Sequence, residues 1–501
     1  MSENKTAAKS KKGAARQNRS LKILFCASEC VPFIKTGGLA DVAGTLPVAL
    51  AAMGHDVRVM LPKYRRMPSQ YASKLTHICD FTIKLGWREQ YCGIELLELG
   101  GVKYYFVDNE YYFGRDYVYG SFSNDEAERF GFFSKAILEA MPRLDFFPDI
   151  LHLNDWQTGA AAALHRLQYR ALPKYRDIRT VFTVHNLRYQ GVFDMGFTDE
   201  LLGLGAACHS TDSLEYYGCV NYMKAGLVCA DRITTVSPTY ANEIQTPTYG
   251  ETLDGVLRAR SYALSGIMNG IDNVSYDPAY DPLLPANYSL EDNMSMSGKG
   301  VCKAALQREF GLEEDPSVPL VAMVTRLTGQ KGLDLVEAVI NELMGANIQL
   351  AVLGNGDIRY EQLFSWAAWR YPGRISARIE FSEPLARLVY AGADAFLMPS
   401  LFEPCGLAQL IAMRYGALPI VRETGGLKDS VTPYNRYTGG GDGFSFKNYN
   451  AHDMLHTVER AAALYRDDKP AWQRLVENAM QKRFTWDESA VKYEELYRSM
   501  L

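Results

Sequence analysis

Several short stretches place charge beside glycine where an apolar run gives way to a helix. From Lys35 to Gly44 the chain reads KTGGLADVAG. Gly37 and Gly38 let the backbone approach a ligand closely, and the following helix offers N–H groups and a dipole that favour an anion. Lys35 adds a full positive charge. The pattern is neither a Walker loop nor GxGxxG, so a phosphate cradle and a plain tight turn both fit it. Asp41 reads either as part of that loop or as an ordinary first-turn acid. Further on, VTRLTGQKGLD sets Arg326 and Lys331 after a second apolar run. A guanidinium fork and a mobile ammonium together suit a diphosphate, the alternative being a solvated pair. LFEPCGLAQL brings Glu403 to a turn stiffened by Pro404 and Gly406. A carboxylate there holds a sugar hydroxyl, stabilises positive charge at a reacting carbon, or simply complements a helix dipole. Cys405 beside it reads as a packing residue. RETGGLKDS repeats the Gly-Gly-Leu theme, where Thr424, Gly425 and Gly426 offer backbone N–H groups to a phosphate. LHLNDWQTG and TVHNLRYQG supply Asp155, His185 and Asn186 at strand ends. The tyrosine-dense YYFVDNEYYFGRDYVYG, which contains Tyr119, suits sugar stacking or an ordinary core.

Such residues act together only if strands and helices hold them along one edge. LKILFCAS and DVRVMLP read as strands on either side of the helix VAGTLPVALAAM, and DILHLND, TVFTVHN and RITTVSPTY read as further strands. This is an open α/β sheet, whose ligands bind off the carboxyl ends of the strands. YDPAYDPLLPANYS reads as a linker or surface excursion, after which PLVAMVTRL, NIQLAVLG, DAFLMPS and LPIV form a second series. The expected fold is α/β, with two doubly wound Rossmann-like domains facing a deep cleft. The expected division is a basic tail over 1–20, domains over 21–260 and 261–482, and a terminal helix over 483–501. WDESAVKYEELYRSML carries apolar residues at helical spacing, suited to packing back on the first domain.

The bulk composition narrows the classes. At 501 residues the chain exceeds a single core, and 47% hydrophobic with 22% charged residues is ordinary for a globular enzyme. A net charge of −5 argues against nucleic acid as a partner. No apolar run is long enough to span a membrane, and MSENKTAAKSKKGAARQNRS lacks the apolar core of a secretory signal. The nine cysteines are scattered, without zinc-like spacing, which fits a reducing cytoplasm.

Taken together, KTGGLADV, NDEAERFGFFSKAILE, HLNDWQTG, TVHNLRYQG, VNYMKAGLVCADRITTVSPTYANEI, GIMNGID, TRLTGQKGLD, SLFEPCGLAQL and ETGGLKDSV resemble the bacterial and plant glycogen/starch synthases. The resemblance runs from Leu21 over nearly the whole chain, in fixed order. It implies a GT-B fold with the C-terminal helix crossing back. It also implies retaining, metal-independent transfer of glucose from ADP-glucose to the non-reducing end of an α-1,4-glucan, with no cofactor. By the same resemblance Lys35, Gly37, Gly38 and Asp41 lie at the nucleotide-sugar, as do Asn269, Phe381, Thr424, Gly425 and Gly426. Arg326 and Lys331 neutralise the leaving diphosphate, and Glu403, Asp155 and His185 reach the glucose. Asn186, Asn221 and Tyr119 line the sugar and acceptor site. Because Lys35 and Arg326 belong to different domains, closure would complete the site and exclude water. The sequence also departs from the family pattern: Phe381 stands where a stacking Tyr is expected, Tyr276 replaces a Trp, and YGETLDG lacks a second glycine. Asn154 replaces a common His, and Ile411 occupies the position of a second Glu found in related transferases. Rival readings are a same-fold transferase with another donor or a short acceptor, and a non-catalytic glucan-binding scaffold. The oligomeric state is open, a homo-oligomer included.

Overall fold

The computed structural model describes residues 19–120, 124–205, 208–290 and 296–501. Most of the tail expected at 1–20 therefore lies outside the described residues. The chain forms two compact units. One runs to Val236 and adds Ala241–Ile267 and Trp486–Leu501; the other comprises Ser237–Tyr240 and Met268–Thr485.

The first unit is built on strands β1 (Lys22–Cys26), β2 (Asp56–Pro62), β3 (Thr76–Leu85), β4 (Arg88–Leu99), β5 (Val102–Asp108), β6 (Ile150–Asn154) and β7 (Arg179–Val184). A small sheet follows, of β8 (Val192–Asp194), β9 (Glu215–Tyr216) and β10 (Cys219–Asn221), before β11 (Arg232–Thr235) and β12 (Leu264–Gly266). The main sheet has nine strands in the order β12-β11-β7-β6-β1-β2-β5-β4-β3. From β12 to β5 every pair is parallel, while β3–β4 and β4–β5 are antiparallel. β1 is buried from its second residue on, as a central parallel strand with both faces covered must be. The antiparallel edge was not read from the sequence. β3 is mostly exposed, so its apolar alternation is weak.

The boundary expected after 260 falls instead after Ile267, because β12 still pairs with β11. The terminal helix begins at Trp486 rather than 483 and buries Trp486, Ala490, Tyr493 and Tyr497 in the core of the first unit. Its Tyr497 hydroxyl lies 2.7 Å from Nδ1 of His152 on β6, whose Nε2 lies 2.6 Å from the Thr183 hydroxyl on β7.

The second unit carries β13 (Leu320–Val324), β14 (Gln349–Leu353), β15 (Ile375–Arg378), β16 (Ala395–Met398), β17 (Leu418–Arg422) and β18 (Phe444–Phe446). These form one six-stranded parallel sheet in the order β15-β14-β13-β16-β17-β18. The stretch 276–289, expected as a linker or surface excursion, is fastened to this unit. Asp281 is buried and accepts from the Tyr415 hydroxyl at 2.5 Å, Asp277 accepts from Arg414 at 2.6 Å, and Tyr288 is fully buried. Acids that read as polar linker composition are anchors here, because buried carboxylates persist only when paired. Among the described residues no helix is long and apolar enough to cross a membrane.

Candidate active site

In the first unit the functional residues gather at the carboxyl ends of β1, β6 and β7. The helix after β1 spans Gly38–Ala52, so it starts at the second glycine of KTGG, with Gly37 extended just before it and no side chain capping it. Lys35 donates to Asp41 at 2.7 Å. The loop is held from below by Glu29, a buried acid that sequence reading missed. One Glu29 oxygen accepts from Thr36 N–H at 2.5 Å, the Thr36 hydroxyl at 2.6 Å and Gly37 N–H at 3.3 Å. Burial raises the Glu29 carboxyl, and the bonds from Thr36 and Gly37 pull it back only in part. The available signal was an acid inside the apolar run FCASECVPF. Next to it, Tyr119 shares a 2.8 Å hydrogen bond with the Ser28 hydroxyl.

Asp155 closes β6 in a strained conformation, φ 56° and ψ 178°, a region that non-glycine residues rarely enter. Its carboxylate accepts from His185 N–H at 2.7 Å and also from the N–H of Asn186. Burial nevertheless pushes the carboxyl up to about 7. Asn154 donates to Cys26 O at 3.0 Å, so its carbonyl oxygen accepts from His185 Nε2 at 2.9 Å. That fixes the tautomer and leaves Nδ1 as an acceptor. Burial holds His185 down at about 3, so it works as a neutral imidazole. Asn221 does not join this group. It is fully buried; its carbonyl oxygen caps the helix Tyr222–Cys229 through Lys224 N–H, and its amide donates to Gln190 at 2.7 Å. The acceptor role expected for Asn221 is therefore corrected to a structural cap.

In the second unit Glu403 is buried after β16, and one oxygen accepts from Lys331 at 2.6 Å and the Ser400 hydroxyl at 3.1 Å. The Arg326 side chain, exposed just past β13, makes no hydrogen bond or ion pair among the described residues. Two glycines make this packing possible. Gly332 has φ 71°, and a Cβ there would meet Pro399 O at 2.0 Å; Gly425 has φ 43°, and its Cβ would meet Glu403 O at 2.0 Å. The turn carrying Glu403 is fixed by further bonds. Ser237 donates to Pro404 O at 2.6 Å, Arg422 to Ser400 O at 2.8 Å, and Gln409 to Cys405 O at 3.0 Å.

Of the three N–H groups expected as a phosphate cradle, at Thr424, Gly425 and Gly426, two are engaged within the protein. Thr424 N–H donates to Arg422 O at 2.9 Å, and Gly426 N–H is shared between the Glu403 and Pro404 carbonyls. Gly426 thus ties to the Glu403 turn and Thr424 to its own strand end, and neither N–H is bare. Asn269 is buried, with its side-chain oxygen unpartnered among the described residues. Phe381 is 82% exposed, its ring turned outward. Burial pushes the Cys405 thiol up to about 12, which makes it inert packing. Tyr276 lies under the Arg387 guanidinium, 3.8 Å from it. Ile411 is buried, so no carboxylate stands eight residues after Glu403. Among the described residues no group of three or more His, Cys, Asp or Glu side chains is placed to hold a metal.

Two Rossmann-like units, the first with an acid–histidine pair and the second with a lysine–glutamate pair, are what the resemblance to a glycosyltransferase of GT-B fold implies. Residues 22–259 match the starch synthase catalytic domain, and residues 307–482 match the glycosyl transferases group 1 model. A glycogen synthase of Geobacillus thermodenitrificans is 53% identical over 481 residues, 96% of this chain and 98% of that protein. The catalytic domain of starch synthase IV from Arabidopsis thaliana, solved bound to ADP and acarbose, is 33% identical with a TM-score of 0.88. It covers 96% of this chain and 99% of that one. A sucrose-phosphate synthase from Thermosynechococcus elongatus, 17% identical with a TM-score of 0.58 over 96% of this chain and 99% of that one, shares the fold. The chain belongs to the glycogen and starch synthase family.

Proposed function

We propose that this glycosyltransferase moves glucose from ADP-glucose to the non-reducing end of an α-1,4-glucan, with retention and without a metal. The observation that carries this is the partly buried Lys331–Glu403 pair, 2.6 Å apart, at the strand ends where Arg326 stands exposed. Transfer develops positive charge at the sugar carbon and negative charge on the departing diphosphate. Arg326 and Lys331 supply the cations for that diphosphate. Glu403, paired with Lys331, faces the sugar carbon in this reading. His185, neutral with an acceptor nitrogen, suits a sugar hydroxyl. A double displacement would need a carboxylate nucleophile about 5 Å from a general acid. With isoleucine at position 411, the favoured route is attack on the same face, with the leaving phosphate accepting the proton of the acceptor hydroxyl. A covalent glucosyl–protein adduct formed with a slow substrate would refute this route.

Phe381 favours a second reading of the donor. A phenyl ring stacks on any base but lacks a hydroxyl, so discrimination between ADP-glucose and UDP-glucose is weaker than a tyrosine would give. All nine cysteines are free, which supports a reducing cytoplasm as the site of action.

The test is glucosyl transfer onto glycogen with both donors side by side, in chelator, and with Glu403→Ala as control. Transfer from ADP-glucose that survives the chelator and falls by about 10²–10³ in the variant supports the proposal. Glucan binding without transfer from either donor would move the scaffold reading to the front.

A further inference from the structure

The helix Ile358–Arg370 turns Tyr360, Phe364 and Ala367 into the core of the second unit. On its outer face stand Trp366 and Trp369, 43% and 76% exposed. Positions three apart are neighbours on a helix surface, with Cβ atoms about 5–6 Å apart. Two other outward aromatics carry a guanidinium over the ring, Trp87 that of Arg88 and Tyr437 that of Arg436. Among the described residues the two indoles have no ring partner, no cation and no hydrogen bond. Gln362, four residues before Trp366 and exposed, likewise leaves its amide without a partner there. The charges on this face are engaged, Arg359 by Glu337 at 2.5 Å and Arg370 over the Tyr371 ring.

The face therefore presents two flat apolar rings, two indole N–H groups and one amide, with its charges occupied. That chemistry fits a neutral polyol: sugar C–H faces stack on indole, while hydroxyls exchange hydrogen bonds with the N–H groups and the amide. A second protein copy fits less well. A stable interface buries about 800 Å² per partner, whereas each aromatic side chain supplies roughly 150–250 Å².

We propose that Trp366, Trp369 and Gln362 form a secondary holding site for the α-glucan, separate from the residues that perform transfer. The inference rests on the acceptor proposed above. A polymer held here stays with the enzyme between additions.

The experiment compares the full chain with a Trp366→Ala/Trp369→Ala variant in native gels containing glycogen, and kinetically on glycogen and on maltotriose. The expected result is about tenfold weaker glycogen retardation and an equal rise in KM for glycogen, with kcat/KM on maltotriose unchanged. Trp369→Phe, which keeps a stacking face, retains most of the retardation. Equal retardation by parent and variant would overturn the holding site alone. So would a change in oligomeric state by sedimentation with glycogen affinity intact, since the face would then be a protein interface. A parent that extends no glucan would instead remove the acceptor reading on which the site depends.

Discussion

At the scale of single residues, the site depends on acids held in unusual states. Burial keeps Asp155 near 7, against 3.8 for a free aspartate. Between those values the folded protein holds a proton that the unfolded chain has released, so stability falls as pH rises through that window and levels off above about 7. Asp155→Asn removes the slope. Thermal unfolding across pH is expected to show the variant gaining on the parent above pH 7 and matching it near pH 4, while its activity drops about a hundredfold. For His185 the consequence is different: held near 3, it contributes no titration to the pH–rate profile between 5 and 8, and an inflection lost in His185→Gln would contradict that. Glu29→Gln puts an amide where three donors converge. The expected outcome is a rise in KM for the donor of about tenfold or more, with about 1–3 kcal/mol of lost stability, read by donor titration and denaturant melts.

At the scale of elements, the sequence showed where the chemistry lies but not how each loop is held. Lys35, Asp155, Arg326, Lys331 and Glu403 were legible because each follows an apolar strand, and a parallel sheet puts such positions at one edge. Glu29 and Ser400 were not, since their roles come from how a loop folds back on itself, and Arg422 was not, since it reaches Ser400 O from another strand. Asn221, Thr424 and Gly426 show the opposite failure. Their types suit ligand binding, but capping and backbone pairing had already used their polar groups. The β3–β5 edge carried hairpin glycines at Gly86, Gly100 and Gly101, all with positive φ, yet exposure blurred the strand signal between them. The turn packing is testable through Gly332→Ala. Its Cβ would meet Pro399 O, so the expected cost is about 1–3 kcal/mol in stability. Because Lys331 is the preceding residue, activity should fall by more than unfolding explains, measured as kcat at a temperature where the variant is fully folded. Tyr497→Phe leaves buried Nδ1 of His152 without its partner, and a loss of about 1–3 kcal/mol in denaturant unfolding is expected.

At the scale of the whole molecule, the first unit is discontinuous: its core needs the helix Trp486–Ser499, which follows the entire second unit in the chain. The second unit is nearly continuous, and its two ends are tied where Ile271 N–H donates to Phe484 O at 2.9 Å. A fragment 268–485 is therefore expected to fold alone. A fragment 1–267 should stay aggregated unless a peptide of residues 486–501 is supplied, checked by solubility and circular dichroism. The order of synthesis follows from this. Domains emerging from the ribosome usually consolidate from the N-terminus onward. Here the part made first must wait, with β1 and the helix Gly38–Ala52 lacking the aromatic side chains of Trp486, Tyr493 and Tyr497, while the part made later finishes ahead of it. During translation the chain thus carries an open hydrophobic seam that only its final helix seals, and chaperone demand should concentrate on that interval.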